Sequence, residues 1–223
     1  MPLTIVRALI LLPFFSAVHV WPVPSPATKV RVTVATLHAA ALTRPRASTD
    51  SVDGPYFLVS ILGPKSRTET LHLPTSGHLT IHEDEALGAR KVADLTLEPG
   101  DSVRLLVSVL EGKKVQGADE AAAAAGSSKA LSQPTASRLG ALSSALTPLT
   151  RKGAHWLGSA TLLLTNEGGR IYWRSLDCVS TCKVLSGGAP TPLGESGKAP
   201  VSGIVELSGA GGTYHMQLKG EQA

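Results

Sequence analysis

The sequence reads SVRLLVSVLE from Ser102 to Glu111. Valine and leucine recur here at every second position, and this two-residue period is typical of a β-strand with one face in a hydrophobic core. The turn-forming residues Pro99-Gly100-Asp101 come directly before it. A second run, Pro55 to Leu62, is almost wholly apolar, which favours a central strand buried on both faces. These two runs predict a sheet protein.

Further runs of the same kind extend to both sides. They are Lys29 to Val34, Thr68 to Leu73, His78 to His82, Lys91 to Leu97, Trp156 to Asn166, Arg170 to Arg174, Gly203 to Leu207 and Tyr214 to Lys219. Turn residues separate them, and the Glu167-Gly168-Gly169 turn indicates a hairpin. We therefore predict an all-β protein, an antiparallel β-sandwich of about eight to ten strands. One domain is expected from residue 28 to residue 223.

An insertion rich in alanine and serine, from Gly117 to Gly153, interrupts this pattern. Its second half is predicted to be a helix that begins near Pro134 and stops at Pro148. The helix would pack against the open end of the sandwich through a leucine stripe: Leu139, Leu142, Leu146 and Leu149. Basic residues flank these leucines, so the alternative is a lipid or partner surface at a membrane.

The N-terminus has the composition of an export signal. One positive charge, Arg7, precedes an apolar run that ends at Trp21, and a Pro-rich segment with Ser25 and Ala27 follows. We expect a signal peptide over residues 1–27, cleaved near Ala27, and a periplasmic or extracellular protein. The alternative is an uncleaved anchor.

Cys178 and Cys182 are the two cysteines of the chain. In an exported protein such a pair favours a disulfide. On an extended strand their Cα atoms would lie about 13 Å apart, beyond the roughly 7 Å that a disulfide spans. The spacing therefore predicts a small covalent loop at these cysteines rather than a strand.

Asp53-Gly54-Pro55-Tyr56 and the strand that follows resemble the opening of a C2 domain. The likeness continues in order through the turn before Ser102, the strand to Glu111, and Leu157-Gly158. It covers about residues 29–164 without the insertion, and it implies a β-sandwich. Calcium-binding C2 domains gather several aspartates on loops at one end. This chain retains Asp53, with Asp50 and Glu111 as further candidates, so no cofactor is expected and calcium is the alternative.

Other residues carry groups that metal sites, hydrolases or sugar-binding surfaces use. His78 and His82 would lie about 13 Å apart on a strand, too far to share a metal ion. Ser159 and His155 are adjacent in sequence, but the chain lacks the Gly-x-Ser-x-Gly motif of many hydrolases. The aromatic residues Trp156, Tyr172, Trp173 and Tyr214 could line a carbohydrate surface, although core packing is the expected use.

Charge gives little support for a nucleic-acid partner. The formal net charge is +4, and basic residues alternate with acidic ones without a continuous basic stripe. The leading hypothesis is an exported, non-catalytic, C2-like interaction or structural module whose partner is an unknown protein or envelope component. The alternatives are a secreted hydrolase with an unrecognised site and a peripheral lipid-binding protein at a membrane surface.

Overall fold

The computed structural model of the protein describes residues 26–43, 52–64, 68–74, 79–112, 117–194 and 199–223. The predicted signal peptide lies almost wholly outside these ranges, as do Asp50 and His78. Within them the chain forms fourteen strands and two helices. In chain order these are β1 (Thr28–Ala41), β2 (Val52–Asp53), β3 (Pro55–Leu62), β4 (Thr68–Leu73), β5 (Ile81–His82), β6 (Ala86–Leu87), β7 (Arg90–Leu97), β8 (Ser102–Gly112), α1 (Ala118–Leu131), α2 (Thr135–Arg151), β9 (Ala154–Glu167), β10 (Arg170–Ser180), β11 (Cys182–Ser186), β12 (Thr191–Pro192), β13 (Val201–Gly209) and β14 (Gly212–Gln222).

Two antiparallel sheets form a β-sandwich, as the sequence predicts. The first sheet has the order β11-β13-β14-β1, and both β6 and β7 pair with the far side of β1. We call it the open sheet. The second has the order β12-β10-β9-β8-β3-β4, and we call it the covered sheet. A separate two-stranded ladder joins β2 to β5.

The main core lies between the sheets and follows from the alternation in the strands. From β8, Val103, Leu105, Val107 and Val109 all point into it, beside the inward-facing side chains of β1, β3, β9 and β14. The strand β3 is buried along nearly its whole length, which confirms the prediction for its apolar run. Trp173 is the largest fully buried side chain, and its indole Nε1 donates to the carbonyl of Gly187 at 2.8 Å.

Hydrogen bonds join the sheets at one end of the sandwich, and a close backbone approach joins them at the other. The side-chain amide of Asn166, at the end of β9, donates to the carbonyl of Leu97 on β7 at 2.8 Å and accepts from the N–H of Gly169. At the opposite end, Gly209 lies where an added Cβ would come within 2.6 Å of the carbonyl oxygen of Trp156. A side chain at that position would therefore separate the β13–β14 turn from β9.

The helices form a third layer, which corrects the predicted position at the open end of the sandwich. They lie across the outer face of the covered sheet, where a second core joins Tyr56, Leu58, Leu106 and Leu110 to apolar side chains of α1 and α2. The first half of the insertion is also helical, and the sequence prediction missed it. Pro148 lies inside α2 rather than ending it, since the helix continues to Arg151 with Leu149 fully buried.

Candidate functional site

The leucine stripe does not form a surface. Leu142, Leu146 and Leu149 are fully buried against the covered sheet, and Leu139 is 46% exposed on the other side of α2. The stripe therefore serves the second core, because burying apolar area on a sheet is what stabilises a helix of this length. A lipid or partner surface made of these four leucines is wrong. No helix in the described part of the chain is long and apolar enough to cross a membrane.

Ser159 and His155 lie on opposite faces of the covered sheet. The indole of Trp156 donates to the Ser159 hydroxyl at 3.0 Å, and that hydroxyl donates to Ser108 at 2.7 Å, which places Ser159 beneath the helices. His155 precedes Trp156 in the same strand and pairs with Glu111, so its side chain points to the other face. With Ser159 fully buried, a hydrolase built on these two residues is excluded.

Of the three proposed calcium ligands, Glu111 is the one whose side chain the structure describes. It is 5% exposed, and its Oε2 atom has no hydrogen-bond partner in the described part of the chain. Asp53 is two residues from Pro55, which faces Glu111 in the ladder. Among the described residues, no group of three or more His, Cys, Asp or Glu side chains is placed to hold a metal ion. Calcium stays an untested alternative.

Tyr56 places a second buried polar atom at this end of the covered sheet. Its hydroxyl has no hydrogen-bond partner within the described ranges. Burial raises the pKa of the phenol to about 12, and the negative charges of Glu120 and Glu111 add to the shift. The phenol is therefore held protonated, and this acidic surrounding is unsuited to an anionic ligand.

The disulfide predicted for Cys178 and Cys182 is present, with 5.5 Å between the Cα atoms. The expectation that these residues avoid strands is wrong, because Cys178 lies on β10 and Cys182 begins β11. A turn at Thr181, whose φ is 39°, brings the two strands together. Since β10 belongs to the covered sheet and β11 to the open sheet, the bond fastens one sheet to the other where the chain crosses between them.

The four aromatic residues do not share a surface. Trp173 and Tyr214 are fully buried in the main core, whereas Trp156 packs beneath the helices. Tyr172 is half-buried, and the guanidinium of Arg174 lies 4.8 Å from its ring centre. Core packing, the expected use, accounts for Trp173 and Tyr214, and these four residues do not form an aromatic platform for a sugar ring.

The outer face of the open sheet remains accessible, and we call it the open face. Its side chains are half-buried or exposed along β1, β13 and β14. The imidazoles of His38 and His215 stack there with 5.9 Å between ring centres, and Nε2 of His215 lies 3.3 Å from a carboxylate oxygen of Glu206. At the far end, Arg31 bonds to Asp94 at 3.0 Å. Sequence reasoning did not identify this surface, although it is formed by the polar residues that alternate with the apolar ones along β1.

Comparisons with known proteins give no relative: no family model, no curated protein and no solved structure matches the chain.

Proposed function

We propose that this protein is an exported, non-catalytic interaction or structural module that binds a protein or envelope component through its open face. The observation that carries the proposal is the difference between the two sheets. The chain covers the outer face of one sheet with its own helices and leaves the other face accessible, with charges of both signs and stacked imidazoles. The rim of a protein–protein interface is polar and accessible to solvent, and the open face has this character.

The proposal that the protein is exported is supported by the disulfide. Bonds of this type persist in oxidising compartments and are rare where thiols are kept reduced. The Cys178–Cys182 bond fastens the two sheets together, so its formation is coupled to the assembled sandwich. Its place in the fold favours a periplasmic or extracellular protein. The resemblance to C2 domains stays a prediction, because sandwiches of this class occur in many families.

Site-specific photo-crosslinking in the producing cell tests the open face. A photoreactive amino acid replaces Thr36, which pairs with Gln217 at the centre of that face. The matched control replaces Ser144, which is exposed on α2. We expect a discrete cross-linked species of fixed mass from position 36 and none from position 144. Cross-links from position 144 alone, or from neither position, would overturn the proposal.

A second measurement separates this function from the hydrolase alternative. The purified protein is incubated with a panel of chromogenic esters, peptides and glycosides, beside the variant His155→Ala. We expect no turnover above buffer from either protein, because the Ser159 hydroxyl is buried beneath the helices, on the opposite face of the sheet from His155. Turnover that disappears in His155→Ala would show that the protein is an enzyme.

A further inference from the structure

Two arginines meet where the turn between α1 and α2 crosses the covered sheet. Arg104 lies on the outer face of β8, and its Nη1 atom donates to the carbonyl of Leu131 at 3.1 Å. Arg138 lies in the first turns of α2, and its Nη2 atom donates to the carbonyl of Gln133 at 3.2 Å. The two acceptors belong to the same turn, so both guanidinium groups are gathered there.

Their positive charges are not neutralised by the rest of the described chain. A guanidinium carries five N–H donors. Among the described residues, each of these two groups makes a single hydrogen bond and neither takes part in an ion pair. Arg138 is only 4% exposed, and its Nε atom is buried with no hydrogen-bond partner in the part of the chain that the structure describes. Buried charges normally have a partner, so this cluster is incomplete.

The electrostatics agree with the geometry. Burial lowers the pKa of Arg138, and the neighbouring charge of Arg104 lowers it further. The charge of Asp177 raises that pKa by a smaller amount, and one carboxylate oxygen of Asp177 already accepts from the Ser175 hydroxyl at 2.8 Å. A negative charge placed near the two guanidinium groups would therefore be favourable.

A pocket opens beside this cluster. Its volume is about 380 Å³, and Arg104 lines it between its two ladder partners, Leu62 of β3 and Leu163 of β9. The Ser102 side chain adds a hydroxyl. Asp101 is the acidic residue that lines the pocket. Its carboxylate accepts a hydrogen bond from the backbone N–H of Glu98 at 2.8 Å, which holds the side chain within the turn before β8. A bound water occupies about 30 Å³, so the pocket has room for a small polyatomic ligand.

We propose that this pocket binds a small oxyanion, a phosphate or sulfate group, on the guanidinium of Arg104. Arg138 does not line the pocket, but its charge interacts with that of Arg104 and is the second positive charge of the cluster. Guanidinium groups match such oxyanions with paired N–H donors, and two neighbouring cations favour a doubly charged anion over a carboxylate. This site lies on the opposite outer face from the open face, so it goes beyond the interaction function and does not depend on it.

Calorimetric titration with inorganic phosphate tests the site, at constant ionic strength maintained with sodium chloride. Sulfate and acetate are titrated in the same way. We expect saturable binding of phosphate and sulfate with one site per chain, and at least tenfold weaker binding of acetate. At a phosphate concentration of ten times Kd, the melting temperature should rise by about 3–6 °C relative to chloride.

Variants identify the residue. Arg104→Gln should weaken phosphate binding at least tenfold, and Arg174→Gln, which removes a guanidinium paired with Glu167 on the same sheet, should leave it unchanged. Arg104→Lys keeps the charge, and it should bind with intermediate affinity if Arg104→Gln does not fold. Phosphate stabilises many proteins by exclusion from their surfaces. A non-saturable effect equal in all variants would overturn the site.

Discussion

Two glycines in the helical layer allow a matched test of how closely α1 and α2 pack. An added Cβ at Gly126, on α1, would lie 2.5 Å from the Cβ atom of Ala145 on α2 and 3.1 Å from its Cα atom. Real Cβ atoms do not approach this closely, so the helices must separate. At Gly140, on α2, nothing lies within 4 Å of the added carbon.

The expected magnitudes follow from two effects. Replacing a glycine by alanine inside a helix gains about 1 kcal/mol of helix propensity. Gly140→Ala should show that gain alone. At Gly126 the gain is offset by overpacking, which costs typically 1–3 kcal/mol. Gly126→Ala should therefore be less stable than Gly140→Ala by about 1–3 kcal/mol.

Urea unfolding followed by tryptophan fluorescence measures this difference. The slope m should be the same for both variants and the wild type, so that the change in midpoint reports stability alone. If Gly126→Ala were as stable as Gly140→Ala, the helices would not be in contact at this point. That result would refute the packing of α1 against α2 on the covered sheet.

Three further predictions concern the disulfide, the buried phenol and the leucine stripe. Replacing both cysteines, Cys178→Ser with Cys182→Ser, should lower the free energy of unfolding by about 2 kcal/mol, which is the loop-closure entropy of a loop of about five residues. Urea unfolding with and without reductant measures this loss, and an unchanged unfolding midpoint would contradict the prediction. Because the pKa of Tyr56 is raised to about 12, its contribution to stability is complete below pH 10 and is lost as the pH rises from 10 to about 12. Tyr56→Phe should reduce this loss of stability at alkaline pH. At neutral pH it should stabilise the protein by about 1 kcal/mol, because it removes a buried hydroxyl that has no partner among the described residues. A loss of stability at neutral pH would mean that the hydroxyl is hydrogen-bonded. Leu142→Ala should cost about 2–5 kcal/mol and Leu139→Ala less than about 0.5 kcal/mol in the same unfolding assay, and equal costs would refute the orientation of α2.

The helical insertion shows where sequence reasoning stopped short. Its leucine spacing predicted α2 and the start near Thr135, but α1 was missed because a run of alanines has almost no contrast between its faces. The sequence does contain a signal for α1, since alanine is the best helix former. The acidic residues Asp119 and Glu120 lie in the first turn of this helix and the basic Lys129 lies in its last turn, as the helix dipole favours. Helix propensity, rather than periodicity, would have predicted it.

The candidate sites were less predictable than the strands. Ser159 and His155 are four positions apart, so strict alternation would put both side chains on one face of β9. A bulge next to Gly158 reverses the alternation and places them on opposite faces. Arg104 and Arg138 are 34 positions apart, and no local pattern relates them. Their meeting depends on where the α1–α2 turn crosses β8.

The sequence by itself determined most of the long strands of the sandwich and the disulfide partners, because a two-residue period and a short cysteine spacing are local properties of the chain. It did not predict β11 or β12. Only the tertiary structure decided which face of each sheet is covered. An amphipathic helix needs an apolar surface, and the outer sides of Tyr56, Leu58, Leu106 and Leu110 form that surface only after β3 and β8 have paired. Burial of the leucine stripe, exposure of the open face and the gathering of two arginines all follow from that pairing.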